Sequence, residues 1–143
     1  MIDLDESLLT VVRERNVGAL ATIKRDGRPQ LSNVSYTFDP GRSLLRASVT
    51  DDRAKVRNLR RDPRASVMVT SPDGWSYTVL EGDVALSSVA ADPGDATVEE
   101  LVEVYRLIAG EHEDWDDYRR AMVADRRLVL RLQVARAYGM SRG

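Results

Sequence analysis

The sequence predicts an α+β protein, mainly β with helices, whose mostly antiparallel sheet closes as a small barrel. Three observations predict it. The strand-like runs are separated by turn signals at Asp26-Gly27, Asp39-Pro40-Gly41 and Pro72-Asp73-Gly74, connections too short for the crossover that a parallel pair requires. The order of elements is three hairpin-spaced strands, a helix, two strands, a helical pair and a last strand, which is not a βαβ alternation. The 143 residues fit one domain, 1–143, with a core large enough for a sheet of about six strands to enclose.

The elements follow in order. Asp3 or Asp5 can cap a first helix running to about Arg15, with Leu8, Leu9 and Val12 at helical spacing. Val17 to Lys24 is apolar and β-prone, and Asp26-Gly27 supplies the positive φ of a tight hairpin turn. The next strand, Pro29 to Phe38, alternates Leu31, Asn33 and Ser35 against Ser32, Val34 and Tyr36. Ser43 to Thr50 is a third strand. The Asp51-Asp52 pair suits the start of a helix that Asp62-Pro63 ends, because the residue before a proline disfavours helical geometry. Arg64 to Thr70 is a fourth strand and Trp75 to about Leu86 a long fifth. Val89 to Thr97 is a loop. Val98 to about Ala109 and Trp115 to about Ala124 have helical character, with acidic Gly110 to Asp114 between them, and Leu128 to Val134 is the closing strand.

Composition narrows the function classes. Hydrophobic content of 43% and charged content of 31% are those of a globular protein, and no apolar run is long enough to span a bilayer. The N-terminus is acidic and unlike a secretory signal, so a cytoplasmic location is expected. Without cysteine there is no disulfide frame, thiolate metal site or cysteine nucleophile. Of 21 basic residues only Lys24 and Lys55 are lysine; with the many Ala, Val and Asp this points to a GC-rich bacterial genome.

The most informative segment is Arg53 to Arg64, with six cations and one acid in a chain of net charge −2. One reading is a solvated helix face with Val56 and Leu59 inward. Nucleic-acid binding is disfavoured, since the remaining surface is acidic and no aromatics interleave the cations. The other reading is a phosphate seat. A strand running into a helix start offers unpartnered amides and the positive end of the helix dipole. Arg53 and Lys55 lie in the first turn, and Lys55 is kept as a compact point charge where arginine is the habitual cation.

Other candidates have an ordinary alternative beside a functional one. Trp75, Tyr77 and Val79 share a strand face, either core or a flat wall for a ring system. Gln30, Ser32, Asn33 and Ser35 make a polar strand, exposed at an edge or lining a cavity where they hydrogen-bond a heterocycle. His112, the only histidine, reads as an exposed loop or helix-cap residue; no second histidine completes a metal set. No serine sits in a nucleophile elbow, and Asp116-Asp117 diverge on a helix. No catalytic side chain is singled out, so any redox chemistry falls to a cofactor.

The order Gly18-Ala19-Leu20-Ala21-Thr22-Ile23, Asp26-Gly27-Arg28-Pro29-Gln30-Leu31-Ser32, Arg53-Ala54-Lys55-Val56-Arg57-Asn58-Leu59-Arg60-Arg61-Asp62-Pro63-Arg64 and Trp75-Ser76-Tyr77-Thr78-Val79-Leu80-Glu81-Gly82 resembles the pyridoxamine 5′-phosphate oxidase-like split β-barrel flavoproteins. Within them it is most similar to the actinobacterial branch that binds the deazaflavin coenzyme F420. The likeness covers nearly the whole chain. It implies an FMN-binding-like split barrel and a homodimer with cofactor sites at the subunit interface. It also implies a phosphate pair at Arg53 and Lys55, and Gln30, Ser32 and Asn33 along the ring system. Ser48 and Thr50 fall on the strand leading to the phosphate, Trp75 and Tyr77 come from across the interface, and Arg57 is a contact for the polyglutamate tail. The vitamin-processing oxidases carry Arg-x-His near the C-terminus. Here that strand has Arg131-Leu132-Gln133, which argues against pyridoxamine phosphate oxidation. The function so implied is hydride transfer from reduced F420 to a small electron-poor acceptor, with no metal, nucleic acid or membrane partner. The alternatives are an FMN-dependent oxidase and an F420-binding protein without turnover.

Overall fold

The computed structural model describes residues 4–141, so Asp3, one of the two expected caps, lies outside the described residues. The first helix, α1 (Glu6–Glu14), is capped by Asp5, whose carboxylate accepts from the Ser7 amide at 2.9 Å. Strands β1 (Val17–Ile23), β2 (Pro29–Asp39) and β3 (Leu44–Thr50) follow, then α2 (Ala54–Arg61), β4 (Arg64–Thr70), β5 (Tyr77–Leu86), α3 (Ala96–Ala109), α4 (Trp115–Ala124) and β6 (Arg127–Met140). Gly27 takes φ +86° in the β1–β2 turn, a conformation that glycine adopts without a Cβ penalty.

The six strands close into an antiparallel barrel in the order β1-β2-β3-β6-β5-β4, as the turn-linked sequence predicts. Period-2 alternation sends Leu20, Leu45, Val67, Leu80, Leu130 and Leu132 into a core from which solvent is excluded. Val12 of α1 joins that core, held there by the buried Tyr36 hydroxyl, which donates to the Val12 carbonyl at 2.6 Å. A second cluster joins α3 and α4 to the outside of β6 through Val98, Leu101, Tyr118, Met122 and Val129.

Three expectations need correction. Asp51 and Asp52 do not cap α2. Its N-cap is Arg53, which makes no side-chain cap, and the Asp51 carboxylate instead binds Arg60 at 2.6 Å and Arg126 at 3.0 Å. Two charge-assisted pairs outcompete a single amide for that carboxylate. Trp75 is not in the fifth strand. The 71–76 segment closes on itself, Ser71 bonding Ser76 through the backbone and Asp73 accepting from the Trp75 amide, so the strand begins at Tyr77. Finally, β6 runs to Met140 rather than Val134. Beyond Val134 it has no apolar run to announce it, yet it pairs with Tyr77–Glu81 past an irregularity between Glu81 and Gly82.

One feature of register shapes the outside of the barrel. β2 pairs with β3 only through Tyr36–Asp39, whereas β3 stays paired with β6 as far as Thr50. The first half of β2 and the last three residues of β3 therefore part company, and the start of α2 lies where they diverge.

Candidate functional site

That divergence opens a groove of about 850 Å³, within the range of small-molecule and cofactor sites. One side is β2, with Gln30, Ser32, Asn33 and Ser35; another is the end of β3, with Ser48 and Thr50. The start of α2 contributes Arg53, Ala54 and Lys55, and the head of β6 contributes Arg127. α3 and α4 supply the apolar wall, Tyr105, Ile108, Ala109, Tyr118 and Met122. Ser48 and Thr50 reach the groove because Ala47 and Val49, which alternate with them along β3, turn inward to the core.

Electrostatics give the groove its character. Arg53, Lys55 and Arg127 line it and, among the described residues, no carboxylate does. Among the described residues none of the three makes a salt bridge, although most of the other cations do. They are instead held by neutral groups. The Arg53 Nε donates to the Thr50 hydroxyl at 3.2 Å, Lys55 Nζ to the Ser32 hydroxyl at 3.3 Å, and Arg127 Nη1 to the Ser48 carbonyl and hydroxyl at 3.4 Å. Burial pushes the Lys55 ammonium below the usual lysine range, and the charges of Arg53 and Arg127 push it further. The Arg127 Nε is buried with no hydrogen-bond partner. The first turn of α2 has no side-chain cap to satisfy its amides. Such a cluster of unneutralised cations and open amides suits a phosphoryl group.

The sequence-predicted residues divide into three sets. Gln30, Ser32, Asn33, Ser48, Thr50, Arg53 and Lys55 line this one groove. Arg57 lines an adjoining cleft with Lys24, Arg25, Arg60 and Arg61, which shares Gln30 and Ala54 with the groove. Trp75 and Tyr77 line neither; Tyr77 opens β5 and Trp75 lies in the turn before it, 61% exposed. Sequence reasoning missed Arg127 and the aromatic wall. Arg127 comes to the site through its register with Thr50, which no local signal reveals. His112 is more than an exposed cap. Its Nδ1 accepts from the Asp114 amide at 2.9 Å and its ring packs with Tyr105, Trp115 and Tyr118, so it braces the wall from behind. Burial pushes the Tyr118 hydroxyl up to about 12, and its O–H donates to the Leu101 carbonyl at 3.1 Å.

Arg131 and Gln133 face away from the groove. Arg131 is bound to Glu100 of α3, and the Gln133 amide donates to the Arg42 and Ser43 carbonyls. Both serve structure.

With this geometry in view, the comparisons with known proteins are informative. The family model described as pyridoxamine 5′-phosphate oxidase matches residues 4–141. An F420H(2)-dependent biliverdin reductase of Mycobacterium tuberculosis (strain CDC 1551 / Oshkosh) is 29% identical over 136 residues, spanning 95% of this chain and 88% of that protein. Among solved structures, an F420 reductase superposes with a TM-score of 0.71 at 24% identity over 94% of this chain and 98% of its own. A conserved hypothetical protein of Mycobacterium tuberculosis gives 0.73 at 23% identity, over 98% and 86%. At such identities the structural matches speak to the fold.

Proposed function

The chain belongs to the pyridoxamine 5′-phosphate oxidase family, and from that premise we propose that it is an F420-dependent reductase. Reduced F420 would pass hydride to a small electron-poor acceptor, a conjugated alkene or imine. The observation that carries this reading is the trio Arg53, Lys55 and Arg127 facing a groove that no carboxylate lines among the described residues. The 29% identical relative, an F420H(2)-dependent biliverdin reductase, supports the choice of F420 over FMN.

The residues present fit the cofactor. Arg53, Lys55 and the first-turn amides of α2 would hold its phosphate. Gln30, Asn33 and Ser48 would orient the ring system, and Arg57 with its neighbouring cations would meet the acidic tail. When bound, reduced F420 supplies the hydride from its C5. The chain's own part is to bind, to align, and to exclude water with Tyr105, Ile108, Ala109 and Met122. Among the described residues the groove presents neither carboxylate nor imidazole, so solvent would protonate the reduced acceptor.

The proposal extends to a homodimer. Leu31, Met68, Tyr138 and Met140 are each at least 40% exposed on the outer face of the sheet. One register row runs from Asn33 in the groove through Ala19, Met68 and Val79 to Tyr138. An apolar face of this kind is an interaction surface, and a second copy seated on it would border the groove with its own Trp75 and Tyr77.

The test is a parallel fluorescence titration of the purified protein with F420 and FMN, followed by oxidation of reduced F420 with biliverdin, enones and nitro compounds. Tighter F420 binding with turnover is expected. Preference for FMN would replace the reading with that of a flavin oxidase; binding without turnover of any acceptor would make the protein a carrier.

A further inference from the structure

A buried relay behind the groove decides which end of the Gln30 amide meets a ligand. Asn58, on the inner side of α2, is 8% exposed and Thr22 of β1 is 1% exposed. The Asn58 Nδ2 donates to the Thr22 hydroxyl and to Gln30 Oε1, both at 3.1 Å. The Thr22 hydroxyl in turn donates to the same Gln30 Oε1 at 3.3 Å. On the far side, Arg61 Nη2 donates to Asn58 Oδ1 at 3.1 Å and to the Ile23 carbonyl at 2.9 Å, which fixes the guanidinium against the end of β1.

The polarity of this chain follows from its first member. A guanidinium only donates. Asn58 must therefore turn its oxygen toward Arg61, since the reversed amide would set donor against donor. Its NH2 then points at Gln30 and demands an acceptor there, so Gln30 turns its own oxygen inward. The Gln30 NH2 makes no hydrogen bond within the described protein and is the polar end that remains for the space Gln30 lines, where the groove adjoins the basic cleft.

We propose that Asn58 is a positioning residue which, held by Arg61, locks Gln30 with its NH2 toward the groove, so that the site selects a ring edge bearing a hydrogen-bond acceptor. This rests on the cofactor-site reading above. An unprotonated ring nitrogen or carbonyl oxygen satisfies it; an N–H at that point does not, because the amide cannot turn over without breaking the relay.

Asn58→Asp tests this with almost no change of shape. The carboxylate keeps Arg61 but has no donor for Gln30, which then reverses and shows its oxygen to the groove. Titration of F420 against the wild type and the variant, followed by fluorescence and by the absorption band of the bound oxidised cofactor, supplies the readout. The expected result is affinity lower by about tenfold or more, the effect of one buried hydrogen bond exchanged for a repulsion. The bound band should be displaced and the apo melting temperature retained. The loss should persist at 0.5 M salt, on the order of a few ångström of screening length, whereas a plain charge effect would fade. Arg61→Leu, at an exposed position, is the second variant, read at 0.5 M salt where any attraction of its charge for the acidic tail is screened; it frees the amide to take either orientation and should weaken binding about threefold. Unchanged affinity and band in a folded Asn58→Asp protein, or in Arg61→Leu should Asn58→Asp not fold, overturn the relay alone. Failure of the wild type to bind either F420 or FMN overturns the cofactor reading and the relay with it.

Discussion

Lys55 shows how much one residue carries. Its neighbours at the groove are Arg53 and Arg127, and burial adds to their repulsion, so the ammonium is held charged only at a cost. That cost is present below the depressed folded pKa and is relieved as pH rises toward the ordinary value of 10.5. A bound anion reverses the balance by favouring the charged form. F420 affinity should accordingly begin to fall at a pH where a normal lysine would still be fully charged, which titrations across alkaline pH will detect. Lys55→Ala should cost about 1–3 kcal/mol of binding, the range for a charged hydrogen bond, and should remove that alkaline limb. Lys55→Arg should remove the limb too but restore affinity incompletely, because a planar fork does not reproduce a point charge. Sequence alone singles out Lys55 by its rarity and its place in the first turn. Arg127 it leaves unmarked, since that residue meets Ser48 from 79 positions away along the chain.

At the level of elements, α3 matters because it forms the apolar wall, and it is fastened by ionic as well as apolar contacts. Arg46 of β3 is 4% exposed and pairs with Glu100 at 3.4 Å and Glu103 at 3.1 Å, while Glu100 also binds Arg131 of β6. The hydrogen bond from Arg131 is the main reason the Glu100 carboxyl lies below the usual glutamate range, and Arg46 adds to it. A depressed folded value means stability present above about pH 4.5 and lost as pH falls through the folded value. Glu100→Gln should destabilise the protein by about 3 kcal/mol at neutral pH, the low end for a buried charge losing a partner, because Arg46 keeps Glu103. The deficit should shrink in acid, as urea unfolding at pH 7 and pH 4 will reveal. Helix positions themselves are largely legible locally, through Asp5 as a cap and Pro63 as a stop, although the Asp95 cap of α3 sits in what reads as loop. The clamp is not, since it joins residues from three separate elements.

For the whole molecule, closure depends on the long β5–β6 pair. At Gly82 an added Cβ would run into the Gln133 carbonyl oxygen, backbone that cannot move aside without breaking the register. Gly82→Ala should therefore lower stability by about 2 kcal/mol or more, in the range of overpacked sites, with a matching drop in melting temperature. The outer sheet face offers a separate expectation. Met68→Asp, at the centre of the Asn33-to-Tyr138 row, should shift a dimer toward monomer in sedimentation velocity and weaken F420 binding in parallel. A monomeric wild type would remove the partner from the site and leave Trp75 and Tyr77 without a role in it.

Local chemistry in the chain is enough to specify the first four strands, the hairpin turns, the barrel class and the cation-rich helix start, because each depends on residues within a few positions of one another. The groove itself was decided by the tertiary structure. Its opening comes from β2 standing apart from β3 until Tyr36, its third cation from the pairing of Thr50 with Arg127, and its apolar wall from α3 and α4 lying across β6. Those are contacts between distant segments, set by which faces could be buried together, and no window of the sequence contains both partners.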